Sequence, residues 1–134
     1  MAQHDMTGRP LSPHLQIYRP MLTTMLSIAH RLTGAGLYFA AVVLAWWLIA
    51  LAGGPEAYAG FRDMAGSIVG RLVLFGITWS LMHHMLGGLR HLVWDTGRGF
   101  ELGTVEVIAR LILFGSIGLT LGIWIIGYWA GVAS

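Results

Sequence analysis

The chain contains no cysteine among its 134 residues, and this absence excludes several kinds of site. Disulfides, iron–sulfur clusters and cysteine-based zinc sites need cysteine sulfur, so none of them can form within this chain. The chain also contains no lysine, and its eight basic residues are arginines scattered singly along the sequence. Nucleic-acid-binding surfaces usually cluster their basic residues on one face, so we expect no nucleic acid among the partners.

Charged residues of both signs are also scarce. They make up 10% of the chain, whereas hydrophobic residues make up 56%. A soluble domain normally carries about 25% charged residues, so this chain has too few to cover a surface that faces water. The composition therefore predicts a membrane protein with lipid as its surroundings, of about the size of one domain.

Three long stretches carry no charged side chain at all, and they occupy residues 32–55, 72–89 and 111–134. A membrane-spanning helix needs roughly 20 mainly apolar residues. The second stretch is shorter, but it can extend past Arg71 because a terminal arginine can snorkel to the interface. We predict an all-α membrane protein with a surface arm over residues 1–23 and a three-helix transmembrane domain over residues 24–131. The expected spans are about 24–52, 65–94 and 106–131.

The positions of the arginines favour one orientation in the membrane. One end of the predicted bundle collects six of them: Arg9, Arg19, Arg31, Arg90, Arg98 and Arg110. The other end has Arg62 and Arg71, together with the acidic Glu56 and Asp63. By the positive-inside rule, the N-terminus and the loop between the second and third helices are cytoplasmic, and the C-terminus is periplasmic. We also expect the bundle to be part of a hetero-oligomer.

Prolines and glycines give further local expectations. Pro10, Pro13 and Pro20 bias the residues before them away from helix, so residues 9–21 are expected to be extended. The first span should then begin with Thr23 or Thr24 as its N-cap. Glycine pairs with small-xxx-small spacing are candidate helix contacts, although some arise by chance among 19 glycines. These pairs are Gly66/Gly70, Gly118/Gly122 and Gly127/Gly131.

The second span carries adjacent histidines near its end, inside a segment where ionisable groups are costly and usually functional. Helical spacing divides the segment into two stripes about 100° apart. One stripe contains His84, Gly88, His91 and Asp95, and the other contains His83, Gly87, Arg90 and Trp94. Adjacent residues cannot aim at one metal, so His83 and His84 are not a ligand pair. For each histidine the alternative is a hydrogen-bonded ring packed between helices.

His84 is the best candidate for a haem ligand. It lies two to three turns inside the span, where a polar ring finds no water. Gly87 and Gly88 leave room for a flat macrocycle beside it. His91 lies about 10 Å closer to the cytoplasm, roughly the reach from a haem iron to its propionates. On the first span, Ser27, His30 and Arg31 begin at the same depth, and they share one helix face.

The second axial ligand is missing from the sequence. His4 and His14 belong to the arm, His30 lies at the propionate level, and His91 is on the same helix as His84. The ligand must therefore come from another chain. This predicts a hetero-oligomer or, less economically, a symmetric homodimer that shares the haem.

Two long motifs carry a resemblance to a known family. The first comprises Arg9-Pro10-Leu11-Ser12-Pro13-His14-Leu15 and then Ser27-Ile28-Ala29-His30-Arg31-Leu32-Thr33-Gly34. The second is His84-x-x-x-Gly88-Leu89-Arg90-His91-Leu92-x-Trp94-Asp95-x-Gly97. Over essentially its whole length the chain resembles the large cytochrome b membrane-anchor subunit of succinate dehydrogenase (succinate:quinone oxidoreductase, respiratory complex II). The first motif is similar to the form shared by mitochondria and related bacteria, which implies a bacterial inner membrane or, alternatively, the mitochondrial inner membrane.

The resemblance implies roles for particular residues. His84 matches the axial ligand of haem b, and His30, Arg31 and His91 match positions near the haem propionates. Ser27 and Arg31 match residues of the ubiquinone site, with Ile28 beside them. Arg90 and Asp95 also match the motif; they receive no firm role and can pair with each other or cap the helix end.

The resemblance also implies partners. A small membrane-anchor subunit would supply the second haem ligand, and an iron–sulfur subunit and a flavoprotein subunit would carry out succinate oxidation. This chain would be a non-flavin subunit of the enzyme, with no catalytic residues of its own for succinate. The alternatives are the cytochrome b anchor of a quinol:fumarate reductase, which works in the opposite direction, and a non-redox membrane assembly subunit.

Overall fold

The computed structural model describes residues 13–131, apart from the side chains of His14 and Leu15. Over this range the chain is helical and contains no strand. Five helices follow one another: α1 (His14–Ile17), α2 (Leu22–Ala52), α3 (Pro55–Gly66), α4 (Ile68–Asp95) and α5 (Leu102–Trp129). The predicted all-α fold is confirmed. The first four residues of the first motif, Arg9 to Ser12, and also His4 lie outside the described residues.

Three of these helices, α2, α4 and α5, are long and apolar enough to cross a membrane. They contain 31, 28 and 28 residues. At 1.5 Å per residue, each is longer than the roughly 30 Å hydrocarbon core of a bilayer. The predicted three transmembrane helices are therefore confirmed, and three crossings put the start of α2 and the end of α5 on opposite sides of the membrane.

Helix α3 lies where the sequence predicts only a connection. Gly54 has φ of 92°, a conformation that favours glycine, and Pro55 begins the new helix, where its missing N–H costs nothing. With 12 residues α3 is too short to span the membrane. Phe61 packs edge-on against Trp46 of α2, with ring centroids 4.8 Å apart. The charged residues of α3 resemble a loop in the sequence, but a short helix can carry them on its outer side.

The ends of the helices differ from the predicted bounds. Helix α4 begins at Ile68, three residues after the predicted start, because the Ser67 hydroxyl caps it and accepts a hydrogen bond from the Gly70 N–H at 3.0 Å. Helix α5 begins at Leu102, four residues before the predicted start, and ends at Trp129.

The entry to α2 also differs from the prediction. The N-cap is Met21, with an extended backbone and no capping side chain, so Thr23 and Thr24 lie inside the helix. Pro20 disfavours a helical backbone at Arg19, so a helix does not run back through this point, and α2 begins two residues after Pro20. The arm is not extended throughout, because residues after Pro13 form the single turn α1.

Helix α4 lies between α2 and α5 and packs against both. On α5 one face is buried, and its side chains are mostly small: Ala109, Ile112, Ser116 and Thr120. Small side chains let two helix backbones approach each other in a membrane. Within the described bundle, a Cβ at Gly118, Gly122 or Gly127 would meet nothing within 4 Å, so these three glycines of α5 make no close contact with α2 or α4.

Much of the apolar surface remains uncovered by the chain itself. Tyr38 is 77% exposed, Ile49 70% and Ile126 69%. Such side chains on spanning helices must contact lipid tails or helices of other chains, because water would not solvate a band of this size. The three-helix bundle therefore has ample surface for neighbours in the membrane.

Candidate functional site

The strongest polar feature within the membrane-spanning region is a cluster of histidines where α2 meets α4. The rings of His30 on α2 and His84 on α4 are stacked, with centroids 4.0 Å apart and planes inclined by 9°. The ring of His91, two turns further along α4, lies 5.2 Å from His30 and is tilted by 60°. Three histidines predicted to surround a cofactor are thus brought together.

Two glycines allow this close approach. A Cβ on Gly34 of α2 would lie 2.8 Å from Cε1 of His84, and a Cβ on Gly87 of α4 would collide with the ring of His30. Each histidine thus lies over the glycine of the opposite helix. Gly87 therefore makes room for His30. Of the two glycines predicted to leave space beside a macrocycle, only Gly88 still can, because a Cβ there would meet nothing within 4 Å.

A hydrogen bond determines which nitrogen of His84 is available as a ligand. Its Nδ1 lies 3.0 Å from the backbone carbonyl oxygen of His30. Because a carbonyl oxygen can only accept, Nδ1 carries the hydrogen, and Nε2 of the neutral ring keeps its lone pair. Nε2 forms no hydrogen bond with the described residues and is not among their buried unpaired atoms. Histidine ligands of metals are commonly held in this way, through the other ring nitrogen.

The surroundings of His84 provide further donors. Nε2 of His30 is buried and has no hydrogen-bond partner within residues 13–131. The side chain of Arg31 is exposed and forms no ion pair with any described residue, and His91 is also exposed. Arg31 and His91 can therefore meet an acidic group of a bound molecule, whereas Nε2 of His30 is enclosed where α2 packs against Gly87 of α4.

The residues predicted for the quinone site border the same cluster. Ser27 lies one turn before His30 and is half-buried, whereas Ile28 is 46% exposed. Ser27, like Arg31, has no hydrogen-bond partner among the described side chains and backbone groups. The Ser27 hydroxyl and the Arg31 guanidinium are therefore both free, within one helical turn of His30 on α2.

The second stripe of α4 faces the interior of the bundle. His83, Gly87 and Arg90 are buried. Nδ1 of His83 lies 3.4 Å from the hydroxyl of Ser116 on α5, and the guanidinium of Arg90 lies 4.7 Å from the ring centre of Trp94. Nε2 of His83 is also unpaired, but the ring is 1% exposed and enclosed by the bundle, so it leaves no space for a macrocycle beside it.

Arg90 and Asp95 do not pair with each other. The Arg90 guanidinium is held over the Trp94 ring by a cation–π contact, and Asp95 is exposed without an ion pair to the described chain. The C-cap of α4 is Thr96, so Asp95 does not cap the helix end either.

Ser116→Ala should destabilise the chain without changing haem binding. The Ser116 hydroxyl donates to the carbonyl of Leu113 at 3.0 Å and therefore accepts from Nδ1 of His83. An alanine would leave that buried nitrogen unpaired, at a cost of about 1–3 kcal/mol. The measurement is the midpoint of thermal unfolding of the purified complex, followed together with its visible spectrum. Gly118→Ala on the same helix, where a Cβ meets nothing, is the control. An unchanged midpoint would contradict the contact.

The donor set of the cluster suits haem better than a bare metal ion. Among the described residues no group of three or more His, Asp or Glu side chains could enclose a metal. One histidine with a free nitrogen is nevertheless sufficient as a protein ligand to iron that is already held by a porphyrin. The free cation of Arg31 and the exposed ring of His91 fit the acidic substituents of such a ring.

Comparisons with known proteins show which family the chain is similar to. Residues 6–123 match the family described as the succinate dehydrogenase/fumarate reductase transmembrane subunit. The chain is 40% identical to the succinate dehydrogenase cytochrome b556 subunit of Paracoccus denitrificans, over 89% of this chain and 92% of the relative. It is 36% identical to the subunit of the same name from Rickettsia prowazekii (strain Madrid E), over 87% and 91%. It is 34% identical to the mitochondrial cytochrome b560 subunit of Sus scrofa, over 84% and 70%.

Proposed function

Since this chain belongs to the family of succinate dehydrogenase/fumarate reductase transmembrane subunits, we propose that it anchors a succinate dehydrogenase, binds haem b and helps to form the ubiquinone-reduction site. It is a multi-pass protein of the inner membrane. Family membership argues against a non-redox assembly subunit. The relatives named above are subunits of succinate dehydrogenase, which supports succinate oxidation as the physiological direction over fumarate reduction.

The observation that carries the haem proposal is the hydrogen bond from Nδ1 of His84 to the His30 carbonyl. It orients the imidazole and leaves Nε2 as an iron ligand. Arg31 and His91 would hold the propionates, because they supply donors and positive charge beside His84, and His30 would support the site by packing its ring against His84. Haem b, when bound, exchanges one electron at a time.

The second iron ligand would come from the small membrane-anchor subunit. His30 lies flat against the face of His84 and not in line with its Nε2, and His83 is enclosed in the bundle, 1% exposed and in contact with Ser116 on α5. His91 shares the helix of His84 and cannot reach the opposite face of the ring. A hetero-oligomer therefore fits these positions better than a self-sufficient chain, and the copurification of a second small membrane subunit would exclude the homodimer.

The quinone site would lie beside the same cluster, at Ser27, Ile28 and Arg31. Reduction of a quinone to a quinol takes up two electrons and two protons, and negative charge develops on the carbonyl oxygens during the reaction. The Arg31 guanidinium and the Ser27 hydroxyl are the kinds of group that stabilise such charge, and Ile28 offers apolar contact to the ring. The electrons would arrive from the iron–sulfur subunit, which would have received them from the flavoprotein subunit, because this chain has no cysteine to bind a cluster.

This assignment also bears on orientation. Arg31, Arg90 and Arg98 lie at the end of the bundle that holds the histidine cluster, together with Arg110 on α5. The positive-inside rule supports a cytoplasmic position for that end, where the soluble subunits would dock, and a periplasmic position for the end of α5.

His84→Ala in the complete complex tests the haem proposal. The reduced-minus-oxidised visible spectrum of the wild-type complex should contain the α-band of a b-type haem, and the variant should lose or shift it because the iron loses its ligand. His83→Gln is the matched control, since His83 is the adjacent histidine but contacts α5. Retention of the full band in His84→Ala would refute the ligand assignment, and its loss in His83→Gln alone would transfer the role to His83.

A further inference from the structure

A cavity with a volume of about 330 Å³ lies at the end of the bundle opposite the histidine cluster, where α2, α3, α4 and α5 meet. Two arginines line it, Arg62 from α3 and Arg71 from the first turn of α4. Both are exposed, and neither forms an ion pair with a described residue. The acidic residues of α3, Glu56 and Asp63, do not line the cavity. Its mouth is therefore positively charged.

An apolar groove of about 290 Å³ continues from this cavity toward the middle of the bilayer. Trp47, Phe61 and Leu74 line both spaces. The groove follows α2 and α4 to Ala40 and Ile77. From Trp47 to Ala40 this is seven residues along a helix, or about 10 Å. The combined space thus has a cationic end and a long apolar end, and it could hold a molecule with an anionic headgroup and an apolar chain.

Aromatic side chains with polar ends surround the arginines. Tyr58 and Tyr128 line the same cavity, together with Trp124, whose indole N–H donates to the Thr78 hydroxyl inside the bundle. Tryptophan and tyrosine are enriched at the level of lipid headgroups, because one end of each side chain is apolar and the other forms hydrogen bonds. The charged end of the cavity therefore lies at headgroup depth, and the groove lies at the depth of the acyl chains.

We propose that this cavity binds an anionic glycerophospholipid, with its phosphate between Arg62 and Arg71 and one acyl chain in the groove. Guanidinium groups bind phosphate through paired, charge-assisted hydrogen bonds, and basic pockets between transmembrane helices bind anionic headgroups. At headgroup depth the two exposed guanidiniums can both reach a phosphate, whose single negative charge would compensate one of the two positive charges. The site is separate from the haem and quinone region, since Trp47 lies 17 residues, or about 25 Å, along α2 from His30.

Native mass spectrometry of the purified complete complex, titrated with phosphatidylglycerol in detergent, tests the proposal. We expect saturable binding of one lipid to the wild type, and binding at least about tenfold weaker in Arg62→Gln/Arg71→Gln. Arg98→Gln, which removes an exposed arginine at the opposite end, should bind like the wild type. Ala40→Phe, which fills the groove, should also weaken binding. The haem spectrum should stay unchanged in every variant, so a failure here would be distinct from a failure of the haem assignment.

Several results would overturn the lipid site. Equal binding by the double variant would remove the role of the arginines. Displacement of the lipid by millimolar inorganic phosphate, together with normal binding in Ala40→Phe, would indicate a site for free phosphate alone. If the double variant does not assemble, the comparison of phosphatidylglycerol with diacylglycerol on the wild-type complex tests the proposal. Diacylglycerol with the same acyl chains lacks the phosphate, so its retention at the level of phosphatidylglycerol would refute the proposal.

Discussion

Gly87→Ala is expected to lower the haem content of the assembled complex about tenfold or more. The new Cβ would collide with Cδ2 of His30 and lie 3.0 Å from its Nε2. His30 cannot easily move aside, because its ring is stacked on His84 at 4.0 Å. Overpacking of this kind costs about 1–3 kcal/mol, and tenfold corresponds to about 1.4 kcal/mol. Since the carbonyl of His30 orients His84, the same displacement would disturb the proposed iron ligand.

The measurement is the ratio of haem to protein in the purified complex, with the thermal midpoint recorded on the same sample. Gly76→Ala is the matched control, because it makes the same substitution on the same helix where a Cβ meets nothing within 4 Å. It should keep its haem, and its stability should be unchanged or slightly higher, because alanine favours helix over glycine. Full haem content and an unchanged midpoint in Gly87→Ala would mean that α2 and α4 do not approach each other as closely as described.

Arg31→Gln is expected to slow succinate-dependent reduction of ubiquinone about 100-fold. The side chain is exposed and has no ion-pair partner in the described chain, so its removal should leave the helix packing intact. Loss of a group that stabilises developing negative charge typically costs 10²–10³-fold in rate. Ser27→Ala should have a smaller effect, about fivefold, because a neutral hydrogen bond contributes about 1 kcal/mol.

Two activities measured on one preparation separate this role from an assembly defect. Turnover with ubiquinone should fall, whereas reduction of a water-soluble dye by succinate, which needs only the flavoprotein and iron–sulfur subunits, should remain. Arg31→Lys keeps the charge and should recover part of the quinone activity. Arg98→Gln removes an exposed arginine at the same end of the bundle and should have no effect. Normal quinone turnover in Arg31→Gln, or an equal fall in both activities, would contradict the proposed site.

The membrane spans could be predicted from the sequence because the physics of a bilayer acts on composition alone. A stretch without charges that is long enough to cross the hydrocarbon core must form a helix, since lipid offers no partners for backbone groups. The bounds were less predictable. Ser67 caps α4 and Pro55 begins α3, and both are local signals, but charged residues between two spans resemble a loop whether or not they form a helix.

The amino-acid order also restricts the ligand candidates to two neighbouring stripes on α4, with His83 on one and His84 on the other. It does not say which stripe faces which helix, because a helix that is apolar on all sides has no amphipathic pattern to orient it. Only the packing decided this: the small side chains of α5 receive His83, while Gly34 and Gly87 bring His30 against His84. The hydrogen bond that leaves Nε2 of His84 free joins residues 54 positions apart, and no local pattern encodes such a contact.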